Sequence, residues 1–447
     1  MGNKASSTAA NELQELYPLP ERYEHLKVLG EGTYGVVLKC LDRDTKETVA
    51  IKIAKASGEQ IEEEACILRV LMDNKLDQKN IVKFHGGFWR NKYMVFENLD
   101  INLDAYLSQR NAPMCLEDIR TVMQQMATAL DGLKRVGVIH TDLKTDNIML
   151  VDRAKKPFKV KLIDFGMGVF RFNAKHIKIQ QVPSFRAPEN IFGFPYSEAI
   201  DVWSLGCVMA WMVFGFSLFP GRTDSELIYY MSNLLGPPPE HMITASSRSE
   251  EYFTKDASNQ WIPKVSEEYR ENKATDRRSY IFRSLDEMKT MRLEEDNATE
   301  AAERTQCIEL LKATLSWDEK DRITPEGILN HPFITKCSSS PIKKPADQTR
   351  TENSAGVPIV RLPSGVIMVQ PAPPHRRAPL VEVAEVESIS ESVTSASTPE
   401  DCNGNDVLDN TDDSEHKSKR KKNCVKRFFS WVRKRVRCCR GVKVAPM

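Results

Sequence analysis

The stretch HTDLKTDNIML, residues 140–150, sets three chemically different side chains at fixed spacing behind a histidine. Asp142 is suited to orient a substrate hydroxyl and to accept its proton. Lys144 can neutralise charge on a transferred phosphoryl group, and Asn147 offers an amide oxygen to a magnesium ion. The combination predicts phosphoryl transfer.

A second carboxylate follows at the spacing that this chemistry needs. Asp164 opens the sequence DFG, 17 residues after Asn147 and directly behind the strand-like run VKLI. An isolated Asp-Phe-Gly is usually a turn, but in this order the carboxylate is placed to hold magnesium between the β- and γ-phosphates. Further on, Glu189 in RAPEN and Arg322 in KDRITP are predicted to form a buried ion pair that fixes the substrate-binding segment.

The sequence LGEGTYGVV, residues 29–37, carries three glycines between two strand-like runs. Glycine lets the backbone lie over a triphosphate with its N–H groups exposed. Dinucleotide-binding folds and plain turns share this spacing, but a strand follows here rather than the helix that a dinucleotide site requires. The residues assigned to ATP in this region are Leu29, Gly30, Glu31, Gly32, Thr33, Tyr34, Gly35, Val36, Val37 and, on the next strand, Ala50.

Lys52, in the strand-like VAIK, supplies a positive charge suited to the α- and β-phosphates. Taken alone, a lysine at such a position is more often a solvated strand residue. Glu64 in the following helix is the natural partner that would hold it in place. Glu62 and Glu63 compete for that role, and Glu64 is preferred because it lies three residues before an apolar Ile-Leu pair, on the side that faces the lobe.

The pattern of apolar residues changes once along the chain. Residues 1–22 form a polar leader, which we expect to be flexible. From Tyr23 onward apolar and polar residues alternate as in strands, and from about residue 103 the pattern is helical. This predicts an α+β fold with a β-rich N-lobe at about 23–98, a helical C-lobe at about 99–333 and a cleft between them. Residues 334–447 are rich in Ser, Pro, Thr and acids, and are predicted to be mostly disordered.

Charge and cysteine content limit the classes of protein. Of the 63 Lys and Arg residues, 13 lie from Lys417 onward, where no Asp or Glu occurs, which leaves 50 basic and 62 acidic side chains before it. A mildly acidic body with a basic end indicates an anionic partner for that end. The ten cysteines show no C-x-x-C spacing, which argues for a reducing compartment and against disulfides or a zinc site.

The uncharged run from Val202 to Phe219 is 18 residues long and has two interpretations, a membrane span or a buried core helix. We favour the core helix, because Asp201 is placed to cap the run and Pro220 ends it.

With these motifs in place, residues 23–333 resemble the homeodomain-interacting protein kinases, which are related to the dual-specificity tyrosine-regulated kinases. HTDLKTDNIMLVD, SEAIDVWSLGCVMA and DRITPEGILNHPF carry the resemblance, and residues 221 to about 300 are similar to the long insert of that wider group. It implies phosphorylation of Ser or Thr with ATP and Mg²⁺, tyrosine autophosphorylation, and regulatory or transcription-related substrates. In the hinge-like MVFENL, Phe96 resembles the gatekeeper, while Glu97 and Leu99 offer backbone groups to adenine.

The chain departs from the general kinase pattern at Thr141, where an arginine usually precedes the aspartate. In many kinases that arginine binds a phosphate on the activation loop, but the related family already carries a small residue there. Ile179 replaces the tyrosine that this family phosphorylates, Pro183 replaces an arginine expected to pair with the phosphate, and Arg186 remains. We therefore expect an active enzyme that does not need activation-loop tyrosine phosphorylation.

A different class of function remains as an alternative, a nucleotide-binding pseudokinase that acts as a scaffold through its tails. The retention of the expected catalytic and metal-binding residues favours catalysis; these are Lys52, Glu64, Asp142, Asn147 and Asp164.

The two ends of the chain carry signals for localisation. MGNKAS fits the myristoylation pattern with Gly2 as the acceptor. Residues 417–440 predict a basic amphipathic helix that could bind an anionic membrane or nucleic acid. The segment also carries Cys424, Cys438 and Cys439, which are suited to palmitoylation. A nuclear-localisation signal in KSKRKK is the alternative, and the family resemblance implies the nucleus. We expect the nucleus or cytoplasm, with the cytoplasmic face of a membrane as the alternative.

Overall fold

The first part of the chain folds into a five-stranded antiparallel sheet, as the alternating pattern predicts. The computed structural model describes residues 15–32, 35–55, 58–88, 92–110, 114–176, 181–264, 284–290, 298–335, 359–361 and 367–369. The strands are β1 (Tyr23–Glu31), β2 (Gly35–Asp42), β3 (Thr48–Ala54), β4 (Phe84–Phe88) and β5 (Tyr93–Glu97), in the spatial order β1-β2-β3-β5-β4. Helix α1 (Gly58–Asp73) lies between β3 and β4 in the sequence.

One face of this sheet buries a small apolar cluster, which we call the outer cluster. Its strand residues alternate along each strand and are Val36, Leu38, Cys40, Val49, Ile51, Tyr93 and Val95. Leu19, which is 7% exposed, and Tyr17 pack against it, and the Tyr17 carbonyl accepts a hydrogen bond from Nε2 of His25 at 2.9 Å. The flexible leader predicted for residues 1–22 therefore ends earlier, because its last residues cover apolar surface of the sheet.

The second part of the chain is mainly helical, with short strand pairs between the helices. The helices are α2 (Leu103–Ser108), α3 (Leu116–Val136), α4 (Pro188–Phe192), α5 (Ala199–Phe214), α6 (Asp224–Leu235), α7 (Glu240–Ala245), α8 (Ser249–Tyr252), α9 (Ala298–Thr314), α10 (Pro325–Asn330) and α11 (Pro332–Thr335). The strands are β6 (Val138–Ile139), β7 (Ile148–Asp152), β8 (Lys156–Leu162), β9 (Val169–Phe170), β10 (Phe253–Lys255) and β11 (Trp261–Pro263), paired as β6 with β9, β7 with β8 and β10 with β11. The predicted α+β class, with a β-rich and a helical lobe, is confirmed.

Two of these strand pairs place the catalytic motifs. The stretch of residues 140–147 connects β6 to β7, and Asp164 follows β8 after one residue. Because β7 and β8 form an antiparallel pair with Ile148 opposite Leu162, the end of the first motif and the start of the second lie side by side.

Helix α5 forms the centre of the helical lobe and is buried along nearly its whole length. Its apolar residues face neighbours on every side, as expected for a core helix. Among the residues that the structure describes, no helix has both the length and the apolar character needed to cross a membrane. The interpretation as a core helix is confirmed, but Glu198, not Asp201, is the N-cap residue.

Of the predicted disordered tail, the structure describes one antiparallel strand pair. It joins β12 (Ile359–Arg361) to β13 (Ile367–Val369), with Val360 opposite Met368. Gly2 and the predicted amphipathic helix at 417–440 lie outside the described residues.

Candidate active site

Three charged side chains from different elements meet at one point. Nζ of Lys52, on β3, lies 2.9 Å from both carboxylate oxygens of Glu64, on α1, and 2.8 Å from Oδ1 of Asp164. The side chains of Lys52 and Glu64 are 14% and 6% exposed, whereas that of Asp164 is 37% exposed. One carboxylate therefore holds the lysine from within the lobe, and the other remains accessible to a ligand.

Helical geometry selects one of three consecutive glutamates. Glu62 and Glu63 are exposed, whereas Glu64 is buried on the face of α1 that also carries Ile61 and Leu68. The glutamate preferred from the sequence is thus the one that binds Lys52.

Strand alternation divides the residues assigned to ATP between two faces of the sheet. Val37 lies opposite Lys52 across the β2–β3 ladder, so Val37 and Ala50 share the face of that lysine. Val36 points to the other face, is 1% exposed and belongs to the outer cluster. The Val36 side chain therefore faces away from Lys52, and only the backbone of Val36 is left to contact a nucleotide on the lysine's face of the sheet.

The three charges influence one another unequally. Burial by itself would lower the pKa of Lys52, but Asp164 and Glu64 outweigh it and raise that pKa. Burial also opposes ionisation of Asp164, yet the nearby ammonium lowers the pKa of its carboxyl. The pKa of Glu64 is raised, by burial first and by the charge of Asp164 in addition. The charged forms of Lys52 and Asp164 are therefore favoured, whereas burial opposes the charged form of Glu64.

The catalytic loop forms a second polar cluster around Asp142. Nζ of Lys144 lies 2.9 Å from Oδ2 of Asp142, and Nδ2 of Asn147 donates to the same oxygen at 2.9 Å and to the Asp142 carbonyl at 2.7 Å. The Asp142 and Lys144 side chains are 17% and 23% exposed, so both reach solvent. The loop thus presents a carboxylate whose direction is fixed by two donors, one of which is a cation.

A buried carboxylate fixes the backbone just before Asp142. Oδ2 and Oδ1 of Asp201, on α5, accept hydrogen bonds from the backbone N–H groups of His140 and Thr141 at 2.7 and 2.9 Å. Thr141 has a φ of 68°, a left-handed conformation that costs a residue with a β-carbon roughly 1–2 kcal/mol. Sequence reasoning missed this role of Asp201, although a lone carboxylate at the start of a buried apolar run signals a buried partner.

His140 links the catalytic loop to the segment that carries Asp164. Its Nε2 donates to the Ile163 carbonyl at 2.9 Å, and its ring meets that of Phe165 edge-on, with centroids 4.9 Å apart. Asp164 lies between those two residues with a φ of 61°, in the left-handed region. The two carboxylates expected to act on substrate and metal therefore sit on backbone segments that are bound to each other.

The three glycines of the loop at residues 29–37 differ in their surroundings. A β-carbon on Gly35 would lie 2.2 Å from the Ile53 carbonyl oxygen, so close pairing of β2 with β3 requires glycine there. A β-carbon on Gly30 or Gly32 would meet no atom within 4 Å. The protein itself leaves space at these two positions, as a phosphate approaching backbone N–H groups would need.

The other loop residues assigned to ATP are placed differently. Leu29 is 42% exposed and thus accessible to a nucleotide. The carboxylate of Glu31 forms an ion pair with Lys55 at the end of β3. Thr33 and Tyr34 lie outside the described residues.

The segment expected to contact adenine follows β5. Phe96 is half-buried and lies opposite Ala50, and its ring centroid is 5.4 Å from that of Phe84. The carboxylate of Glu97 binds Nζ of Lys161 at 2.5 Å, and the Leu99 side chain is buried. With both side chains engaged or buried, Glu97 and Leu99 are left to act through their backbone groups.

The segment before α4 is held by an ion pair and by hydrogen bonds of Arg186. The guanidinium of Arg186 donates to the Gln181 carbonyl at 3.1 and 2.8 Å and lies 2.5 Å from Oδ1 of Asp224, at the start of α6. Gln181 is 2% exposed, and its own side chain donates to Ser204 of α5 at 2.9 Å. Ile179 lies outside the described residues.

The donors near Asp164 fit a magnesium ion held together with a nucleotide. Magnesium is bound in such sites through one or two carboxylates and the phosphates of the substrate, not by a cage of protein ligands. In the described part of the chain, no group of three or more His, Cys, Asp or Glu side chains could hold a metal alone. Asp164 and Asn147 would hold the ion, and Lys52 would lie beside the phosphates.

Comparisons with known proteins agree with this geometry. Residues 23–334 match the family model described as protein kinase domain. Over 337 residues the chain is 40% identical to homeodomain-interacting protein kinase 2 of Mesocricetus auratus and to homeodomain-interacting protein kinase 1 of Mus musculus. Each alignment covers 72% of this chain, but only 29% of the first relative and 28% of the second. It is 36% identical over 338 residues to homeodomain-interacting protein kinase 4 of Homo sapiens, covering 70% of this chain and 55% of that one.

The chain thus spans between about a quarter and just over half of the length of these relatives. The matched residues nevertheless include both polar clusters and the segment between them, and they make up most of the chain. The chain therefore belongs to the protein kinase family, and its kinase domain is similar to those of the homeodomain-interacting protein kinases.

Proposed function

We propose that the chain is a protein kinase that transfers the γ-phosphoryl group of ATP to Ser or Thr hydroxyls of protein substrates, with Mg²⁺ as its cofactor. The observation that carries this proposal is the contact of Lys52 with both Glu64 and Asp164. It joins the strand that faces the nucleotide, the helix that orients the lysine and the carboxylate suited to the metal.

The polar clusters divide the reaction between them. Asp142 orients the substrate hydroxyl and takes its proton as the oxygen forms a bond to the γ-phosphorus. The bond from that phosphorus to the β–γ bridging oxygen breaks, and ADP leaves with the electron pair. Lys144 and Lys52 neutralise charge on the transferred group and on the remaining phosphates. A bound Mg²⁺ would supply further neutralisation where Asp164 and Asn147 lie.

The test uses the full chain with labelled ATP, Mg²⁺ and a generic basic protein substrate, beside Asp142→Asn. We expect transfer by the parent, loss with the Asn variant, and loss when EDTA removes Mg²⁺. Phosphoamino-acid analysis should find phosphoserine or phosphothreonine in the substrate. If parent and variant are equally inactive while ATP still raises the melting temperature, the pseudokinase scaffold becomes the better account.

We also propose that activity does not depend on a phosphate in the activation segment. The support is the Arg186 guanidinium, which already has a carboxylate and a carbonyl as partners. A fixed carboxylate replaces one function of a phosphate, because it neutralises the guanidinium and orders the segment. Phosphatase-treated protein should keep its activity. Phosphopeptide mapping that finds an essential phosphate between Asp164 and Glu189 would overturn this part of the proposal.

For substrates, we propose regulatory proteins of transcription. The support is the similarity over the kinase domain to relatives whose names describe interaction with homeodomain proteins. A panel of purified homeodomain proteins and unrelated basic proteins of matched charge should separate recognition from charge attraction. Equal rates on both sets would contradict this substrate class.

For localisation, we propose the nucleus or cytoplasm, with anchoring to the cytoplasmic face of a membrane as the competing outcome. The support is the basic run KSKRKK, and the competing signals are Gly2 and the cysteine-bearing basic end. Imaging of the tagged full chain beside Gly2→Ala would decide. Binding of the full chain to anionic vesicles and to DNA over a range of salt would identify the partner of the basic end.

A further inference from the structure

The residue directly before the catalytic aspartate is held in an unusual backbone conformation. Thr141 is 2% exposed and has a φ of 68°, a region that β-branched residues rarely adopt. Its N–H donates to Asp201, so the backbone is fixed from the side of α5. Strained residues of this kind persist where the surrounding structure determines them, and they cluster at functional sites.

The side chain of Thr141 makes a contact in the opposite direction. Its hydroxyl donates to the carbonyl oxygen of Met167 at 2.6 Å. Met167 directly follows the Asp164-Phe165-Gly166 segment, and the next amide, of Gly168, donates back to the Phe165 carbonyl at 2.9 Å. The hydroxyl therefore binds the turn that ends the metal-holding segment.

That turn has little room to relax. A β-carbon on Gly168 would lie 3.0 Å from the Phe165 carbonyl oxygen and 3.1 Å from Cδ1 of Ile67, on α1. The hydroxyl of Thr141 thus joins a tightly packed turn to the residue that precedes Asp142. The Thr141 side chain is buried and Met167 is half-buried, so removing the hydroxyl takes a donor from a carbonyl that water reaches only in part.

We propose that Thr141 is a positioning residue, whose hydroxyl sets the spacing between the loop that carries Asp142 and the segment that carries Asp164. The left-handed backbone directs the side chain toward Met167, and the carboxylate of Asp201 holds that backbone in place. In many kinases an arginine at the position of Thr141 binds a phosphate on the activation loop. Threonine is shorter, and its hydroxyl binds the neighbouring turn at Met167 directly. The kinetic test of this inference rests on the proposed kinase activity, whereas its test by hydrogen exchange does not.

The test compares Thr141→Val, which keeps the branched shape and removes the hydroxyl, with Thr141→Ser, which keeps the hydroxyl. Thr128→Val is the matched control, because the Thr128 hydroxyl also donates to a backbone carbonyl, that of Gln124, on the surface of α3. In the full chain, we expect Thr141→Val to lower kcat by about tenfold with little change in the KM for peptide. The kcat of Thr141→Ser should stay within about twofold of the parent value, and so should the kcat of the control Thr128→Val.

Hydrogen exchange at the amides of residues 167–169 is the second readout. Thr141→Val should accelerate it by about tenfold, and Thr141→Ser should not. If the Val variant does not fold, Thr141→Ala carries the same expectation. Equal losses in the Val and Ser variants, or parental kcat and exchange in Val, would overturn the inference. A parent without phosphotransfer would refute the proposed function instead, and exchange alone would then decide the role of Thr141.

Discussion

Arg322 and Glu189, 133 residues apart in the sequence, form a two-bond ion pair that solvent does not reach. Nη1 and Nη2 of the arginine lie 2.7 and 2.9 Å from the two carboxylate oxygens, and the Arg322 and Glu189 side chains are 0% and 3% exposed. The guanidinium also donates to the carbonyls of Ala199 and Ser316. The pair predicted from RAPEN and KDRITP is confirmed, and it fixes the start of α4 against the segment before α10.

Removing the arginine should unfold this region most readily. Arg322→Ala leaves a buried carboxylate without its cation, which typically costs about 3–5 kcal/mol of unfolding free energy. Glu189→Gln should cost less, since its amide oxygen still accepts from the guanidinium. Urea unfolding of both variants and of the double variant would give the coupling. A loss below about 1 kcal/mol for Arg322→Ala would contradict the description of the pair as buried and structural.

Glu64→Gln should separate activity from stability. The amide oxygen still accepts from Lys52, and Asp164 still supplies an opposite charge, so we expect the unfolding free energy to change by less than about 1 kcal/mol. The rate of phosphotransfer should fall by about a hundredfold, because a neutral partner holds the lysine less firmly where charge develops. Glu62→Gln, on the exposed side of the same helix, is the control and should change neither quantity.

Lys52→Met should give a stability loss that depends on pH. In the parent, Lys52 lowers the pKa of the Asp164 carboxyl. This shift stabilises the folded state at pH values above the ordinary pKa of an aspartate, and the stabilisation is lost as the pH falls through the lowered pKa. In the variant, two facing carboxylates lack their cation, so folding favours their protonation. The difference in urea midpoint between parent and variant should therefore be largest near neutral pH and shrink on acidification. A difference that stays constant or grows would show that the two carboxyls do not depend on Lys52.

Asp224→Asn should weaken the segment before α4. The carboxylate of Asp224 binds Arg186 and, through its other oxygen, Arg248 at 3.2 Å, so the change leaves two neighbouring cations without it. We expect kcat/KM to fall by about tenfold, in line with the loss of one charged hydrogen bond. Asp286→Asn, which removes an exposed partner of Lys312, is the matched control. Unchanged activity in the Asp224 variant would show that the segment is ordered by other contacts.

Much of the site was predictable because it depends on local spacing. Helical period separated Glu64 from its two neighbours, and strand period placed Lys52 and Val37 on one face. The same period places the Val36 side chain on the opposite face, in the outer cluster. A motif match alone does not make this distinction, because it ignores which side of a strand each side chain occupies.

The features that sequence reasoning missed depend on contacts between distant segments. Asp201 was assigned to a helix cap, yet it binds backbone N–H groups 61 and 60 residues away in the chain. The left-handed backbone of Thr141 follows from that contact and from Met167, since nothing in the local residues calls for it. Propensity and periodicity describe neighbours along the chain, and so they give no information about such constraints.

The packing of Tyr17 and Leu19 on the outer cluster has a practical consequence for producing the domain. The family match begins at Tyr23, but a recombinant fragment cut there would lose the cover over apolar side chains of the sheet and the hydrogen bond to His25. Newly uncovered apolar surface promotes self-association. The segment matched by similarity is therefore shorter than the segment needed to express a well-behaved domain. A recombinant fragment should begin before Tyr17.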